Sequence, residues 1–117
     1  MLVELSIVPL GSNVRWSDQL AEALKLVDAS GLPYMLTPSG TCIEGEWDEL
    51  MTLARQCHER VRQASPHVLT SINIEDEEGG HEQLTRNIAS VEEKLGRPLR
   101  KLVPHVAGAP AVGVGGA

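Results

Sequence analysis

Apolar side chains recur along this chain with two different periods, and the switches between them divide it into elements. From Leu2 to Leu10 the period is two: Val3, Leu5 and Ile7 share one face, while Glu4, Ser6 and Val8 share the other. That alternation marks a strand with one buried side. Pro9 and Gly11-Ser12-Asn13 end it. The period then lengthens. Leu20, Leu24 and Val27, flanked by Ala21 and Ala23, form the apolar stripe of a helix running to about Ser30, with Ser17 as its expected N-cap and Gly31 as the left-handed residue beyond its end.

Leu32 to Thr37 reads as a short strand, Pro38-Ser39-Gly40 as a hairpin corner, and Thr41 to Glu44 as the partner strand. From Trp47 the helical period returns in Leu50, Met51, Ala54, Cys57 and Val61, and should stop near Ser65-Pro66. His67 to Glu75 alternates again, with Val68, Thr70, Ile72 and Ile74 opposite Leu69, Ser71 and Asn73. An acidic loop, Glu75 to Gly80, leads to a last helix from about His81 to Leu95, striped by Leu84, Ile88, Val91 and Leu95 and closed by Gly96 and Pro98.

This order, β-α-β-β-α-β plus a final helix, predicts an α+β, ferredoxin-like sandwich: a four-stranded antiparallel sheet with helices on one face and a C-terminal helix added. Right-handed crossovers place the first and third strands in its centre. Residues 1–103 are expected to form one domain. Residues 104–117, poor in bulky groups after Pro104, are expected to be a mobile tail.

Face parity then identifies the uncovered side. If Val3, Leu5, Ile7 and Ile43 point to the helices, Glu4, Ser6, Glu44, Ser71 and Asn73 point away, interspersed with Leu2, Val8, Cys42 and Leu69. Such a mixed face is either a solvent- or subunit-facing sheet surface or a shallow pocket whose carboxylates favour a cationic or N–H-rich ligand.

Composition narrows the partners. The formal net charge is −6, which disfavours nucleic acid, and only three aromatic residues (Trp16, Tyr34, Trp47) are available, too few for base-stacking platforms. No apolar run approaches the ~20 residues of a membrane span. Cys42 and Cys57 sit within apolar patterns, and no signal peptide is recognisable, so a cytoplasmic protein with reduced thiols is expected.

Catalytic chemistry is hard to assemble from these residues. The four histidines are scattered, no Cys-x-x-Cys exists, and Cys57 and His58, adjacent on a helix, diverge. Gly11-Ser12-Asn13 lacks both the Walker lysine and the dinucleotide glycine spacing. Glu4 and Glu44 could serve as an acid–base pair, but no nucleophile or metal set accompanies them. Trp16 and Trp47, each at a helix start, read first as core or staple residues and second as stacking walls. A binding protein, not an enzyme, is the expectation. No resident cofactor is implied.

With these elements in view, a resemblance emerges. Glu4-Leu5-Ser6-Ile7-Val8-Pro9-Leu10-Gly11, the hairpin Thr37-Pro38-Ser39-Gly40-Thr41 with Glu44-Gly45 and the following Trp47-Asp48-Glu49, and the helix Ser90-Val91-Glu92-Glu93-Lys94-Leu95 together resemble the YkoF-related thiamine-binding-protein-like domains over about residues 2–96. The resemblance implies a ferredoxin-like fold that self-associates as a dimer or tetramer. It also implies binding of thiamine or a related pyrimidine without catalysis, with Ser6, Thr37, Gly40, Thr41 and Glu44 as ligand contacts. The alternative is an interaction module whose open sheet face serves only oligomerisation. The chain departs from the family pattern at Ser39, in the Glu75–Glu77 stretch and at Asn87.

Overall fold

The computed structural model describes residues 1–11 and 15–106. Its elements, in order, are β1 (Leu2–Pro9), α1 (Trp16–Ala29), β2 (Tyr34–Thr37), β3 (Gly40–Glu44), α2 (Trp47–Ala64), β4 (Val68–Glu75) and α3 (Gln83–Leu95). The four strands form one antiparallel sheet in the order β2-β3-β1-β4, so the first and third strands are central, as right-handed crossovers require. This is the α+β, ferredoxin-like arrangement expected from the pattern.

The core lies between the sheet and the first two helices. Val3, Leu5, Ile7 and Ile43 from the sheet meet Ala23 and Val27 of α1 and Leu50, Leu53, Ala54, Cys57 and Val61 of α2. Burying each of the larger aliphatic side chains contributes about 1.5–3 kcal/mol. The stripe residues of both helices therefore decide which face of the sheet is covered.

Two helix starts differ in their chemistry. α1 begins at Trp16 with Arg15 in the N-cap position and no side-chain cap, so Ser17 falls inside the first turn and is not the N-cap. α2 begins with a capping box in which the Glu49 carboxylate accepts the Glu46 backbone N–H at 3.1 Å. Gly31, at φ +77°, supplies the left-handed turn out of α1.

β4 keeps the expected parity, since Val3, Leu5 and Ile7 pair with Ile74, Ile72 and Thr70. Its helix-side face is nevertheless covered only at one end. α2 reaches Thr70, whose hydroxyl hydrogen-bonds His58 Nδ1 at 2.6 Å, while Ile72 and Ile74 remain exposed. α3 is anchored by its first turn: Gln83 and Leu84 are buried, whereas Val91 and Leu95 are exposed.

Of the expected tail, Pro104–Val106 are described and residues 107–117 lie outside the described residues. His105 forms an antiparallel bridge to Tyr34 on the outer edge of β2, with N···O distances of 2.9 and 2.6 Å. The Tyr34 hydroxyl donates to Asp28 Oδ1 at 2.9 Å, and burial followed by this bond pushes its pKa up. Among the described residues, no helix is long and apolar enough to cross a membrane.

Candidate functional site

The strands of the sheet differ in length, and the difference makes a notch. β1 pairs with β4 along its whole span, from Leu2 with Glu75 to Pro9 with Val68. It pairs with β3 only from Leu2 with Glu44 to Leu5 with Thr41. Beyond Leu5 no strand among the described residues pairs with the β3-facing edge of β1, because the β2–β3 hairpin turns back at Pro38-Ser39. A pocket of about 170 Å³ occupies the gap. It is lined by Leu5–Val8 of β1, Trp16 and Leu20 of α1, and Leu36–Thr41 around the corner.

The corner is held by one hydroxyl. Thr37 Oγ1 accepts the backbone N–H of Gly40 at 3.1 Å and of Ser39 at 3.3 Å, and donates to the Gly40 carbonyl at 2.9 Å. Gly40 is required by close approach: a Cβ there would stand 2.9 Å from the Leu5 carbonyl oxygen and 3.3 Å from Glu4 Cγ. Hydroxyls of Ser6 and Thr41, by contrast, make no hydrogen bond among the described residues, although Thr41 is buried. Both line the pocket and retain free hydrogen-bonding capacity.

Four of the five residues expected to contact a ligand, Ser6, Thr37, Gly40 and Thr41, thus line one pocket. Glu44 does not. It lies at the far end of β3, about 13 Å along the strand from Gly40 at ~3.3 Å per residue. Its carboxylate instead accepts the backbone N–H of Gln83 at 2.9 Å and of Leu84 at 3.4 Å. A carboxylate at the first turn of a helix satisfies orphan donors and meets the positive end of the dipole. The carboxylate chain nearest the corner belongs to Glu4, which pairs with Cys42 across the sheet. The Cys42 thiol is pushed up in pKa by burial first and by the Glu4 charge second.

Neither cysteine lines this pocket. Cys57 is buried in the core with its Sγ 3.5 Å from the Ala23 carbonyl, and burial pushes its pKa up to about 11. Among the described residues, no three His, Cys, Asp or Glu side chains are grouped to hold a metal ion.

Two contributors were not among the residues expected to contact a ligand. Trp16, expected first as a packing residue, is 50% exposed at the pocket mouth. Its spacing of four from Leu20 was the only available signal, because both then fall on one side of the helix. The second contributor is the stretch of β1 that runs past the end of the β3 register. Trp47, the other indole, is similarly exposed but lies away from the pocket.

Comparison with known proteins places this geometry in context. A family model described as thiamine-binding protein matches residues 3–92. A UPF0045 protein of Mycobacterium bovis is 33% identical over 99 residues, covering 84% of this chain and 97% of the relative. The UPF0045 protein YqgV of Bacillus subtilis is 32% identical over 100 residues, covering 80% and 96%. Among solved structures, a hypothetical protein of Methanocaldococcus jannaschii superposes with a TM-score of 0.72 at 24% identity, covering 79% of this chain and 95% of that one. A Thermotoga maritima protein, provisionally named for thiamine biosynthesis or salvage, superposes with a TM-score of 0.63 at 23% identity, covering 81% and 94%. At these identities the two structures establish the shared fold.

Proposed function

The chain belongs to the thiamine-binding protein family, and from that premise we propose that it is a non-catalytic binder of thiamine or a related pyrimidine compound, working as a homo-oligomer in the cytoplasm. One observation carries the reading. Ser6, Thr37, Gly40 and Thr41, drawn from two separate stretches of sequence, line a single pocket.

Its size supports a ring rather than a whole drug-sized molecule. About 150 Å³ suffices for a benzene-sized guest, whereas pockets for larger ligands run to about 300–1,000 Å³. At about 170 Å³ the pocket suits one six-membered ring. In this proposal the pyrimidine enters the pocket, and the cationic remainder of thiamine stays outside, where Glu4 and the net charge of −6 favour it. Thr37 and Gly40 shape the corner, and Ser6 and Thr41 offer hydroxyls to the ligand. Glu44, whose carboxylate oxygens are engaged by α3, supports the fold rather than the ligand.

Calorimetric titration of the full chain with thiamine is the direct test. Saturable binding that is lost on Thr41→Val is the expected result; no heat at millimolar thiamine and at millimolar pyrimidine fragment would refute the reading.

A second reading, an interaction module with no ligand, is favoured by the apolar groups left uncovered on β4 and α3, namely Leu69, Ile72, Ile74, Val91 and Leu95. Light scattering coupled to size exclusion separates the two when combined with calorimetry. An oligomer that binds no pyrimidine would favour this second reading.

A further inference from the structure

The chain from α3 onward is tied to the body at two places, and both lie on the β2–β3 hairpin. The first turn of α3 meets the Glu44 carboxylate at the end of β3 through the Gln83 and Leu84 N–H groups. Leu84 is buried, yet it lies outside the core that the sheet shares with α1 and α2. The segment after α3 is fastened back to that helix by the Leu99 N–H and Lys101 Nζ, which both donate to Glu92 Oε2. It then reaches the outer edge of β2, where His105 bridges Tyr34. Residues 83–106 therefore form one arm. This arm docks on β2 and β3, although the strand it follows, β4, lies at the opposite edge of the sheet. Residues 76–82 make the crossing.

The costs of docking fall on the crossing, and the gains fall on the seat. Glu82, at φ 55°, holds a left-handed conformation that a side chain disfavours. Gln83 is only 3% exposed, and both its Nε2 and its Oε1 are buried without a hydrogen-bond partner among the described residues. An amide left so is destabilising. The crossing itself closes over it, since a Cβ on Gly80 would stand 3.4 Å from Gln83 Cδ. Against these costs the crossing gains the Arg86–Glu77 ion pair at 2.6 Å, which is well exposed and stabilises little. The seat supplies the rest: the Glu44 cap, the burial of Leu84 and the Tyr34–His105 bridge. An identical arm from another molecule would satisfy every one of these seat contacts.

Resting on the homo-oligomer part of the proposed function, we propose that two copies of this chain exchange their C-terminal arms. Residues 76–82 open as a hinge, and residues 83–106 of each copy dock on β2 and β3 of the other. Seven residues span up to about 23 Å when extended, enough to reach a neighbouring molecule. The seat contacts are kept across the two chains, while Glu82 returns to an ordinary φ and the Gln83 amide reaches water. Exchange is a low-cost route to a dimer when a strained hinge joins a small terminal element to the rest of the fold. The partner is a second copy because the seat is complementary to the first turn of α3 itself.

The test unfolds 13C-labelled and unlabelled full chains together in equal amounts and refolds them. Isotope-filtered NMR should then show a contact between the ring protons of Tyr34, the only tyrosine, in one chain and those of His105 in the other. Absence of that contact from a sample that sediments as an oligomer overturns the exchange. Sedimentation equilibrium gives a second measure. Glu82→Gly and Gln83→Leu each ease the closed hinge, so each should raise the dissociation constant about tenfold, both hinges of the dimer contributing, with circular dichroism unchanged. An unchanged constant in both variants overturns the inference and leaves the homo-oligomer in place. A chain that stays monomeric at millimolar concentration overturns both.

Discussion

Glu44 and Gln83, 39 residues apart, are joined by a carboxylate that accepts the first backbone N–H of α3 at 2.9 Å. This contact fastens the last helix to the end of β3, and the neighbouring Leu84 N–H adds a longer bond of 3.4 Å. α3 has no side-chain cap from its own N-cap residue, so Glu44 takes that part from across the fold.

Replacing Glu44 by Ala should therefore loosen α3 and leave the pocket intact. A loss of about 0.5–2 kcal/mol is expected in denaturant unfolding, with faster amide exchange confined to the first turns of α3. Thiamine affinity should stay within about twofold. A tenfold loss of affinity without destabilisation would instead place Glu44 in contact with the ligand.

Glu82, immediately before α3, has φ of 55° and lies in the left-handed region. For a residue with a Cβ this costs about 1–2 kcal/mol, part of which Gly forfeits through its larger unfolded-state entropy. Glu82→Gly should raise stability by about 0.5–1 kcal/mol, read as an increased urea midpoint with unchanged slope.

At the corner, Thr37→Val keeps the shape of the side chain and removes the oxygen that serves Ser39 and Gly40. Loss of about 1–3 kcal/mol is expected from the orphaned backbone groups. Gly40→Ala should cost a similar amount by overpacking, because its Cβ would meet the Leu5 carbonyl at 2.9 Å. Both changes should weaken pyrimidine binding, since both displace a wall of the pocket. Thermal unfolding and calorimetry on the same samples check this.

Burial raises the Cys57 thiol from its ordinary 9.0 to about 11. The unfolded chain then releases this proton at lower pH than the folded one, so the folded state loses stability as pH rises. The contribution is fully present below pH 9 and fades as pH approaches about 11. Removing the ionisable group in Cys57→Ala should flatten this part of the stability profile. In the native protein at pH 8, thiol reagents should modify Cys57 only after unfolding.

The residue pattern carried most of the architecture. Alternation marked β1 and β4, helical spacing marked α1 and α2, and Gly31 and Gly96 marked the ends of helices with left-handed φ of 77° and 74°. These features are local: each follows from which side chains must share a face or which residue tolerates a given φ. The corner at Pro38–Gly40 was legible for the same reason. Its neighbours were grouped through a family resemblance rather than through periodicity, and Ser6, Thr37, Gly40 and Thr41 line one pocket. Extent of coverage was less legible. Ile72 and Ile74 face the helix side as parity requires, yet stay exposed because α2 crosses only the other end of β4.

By itself, then, the sequence determined the order of strands and helices, the two faces of the sheet, and the outward direction of Glu44. Tertiary structure alone decided what Glu44 meets, because its partner arrives from a helix 39 residues further along the chain. It also decided that β1 outruns the β3 register, leaving a gap bordered by Trp16 and the Thr37–Thr41 corner. Strand pairing length depends on where two distant segments turn, and neither segment encodes the other's end.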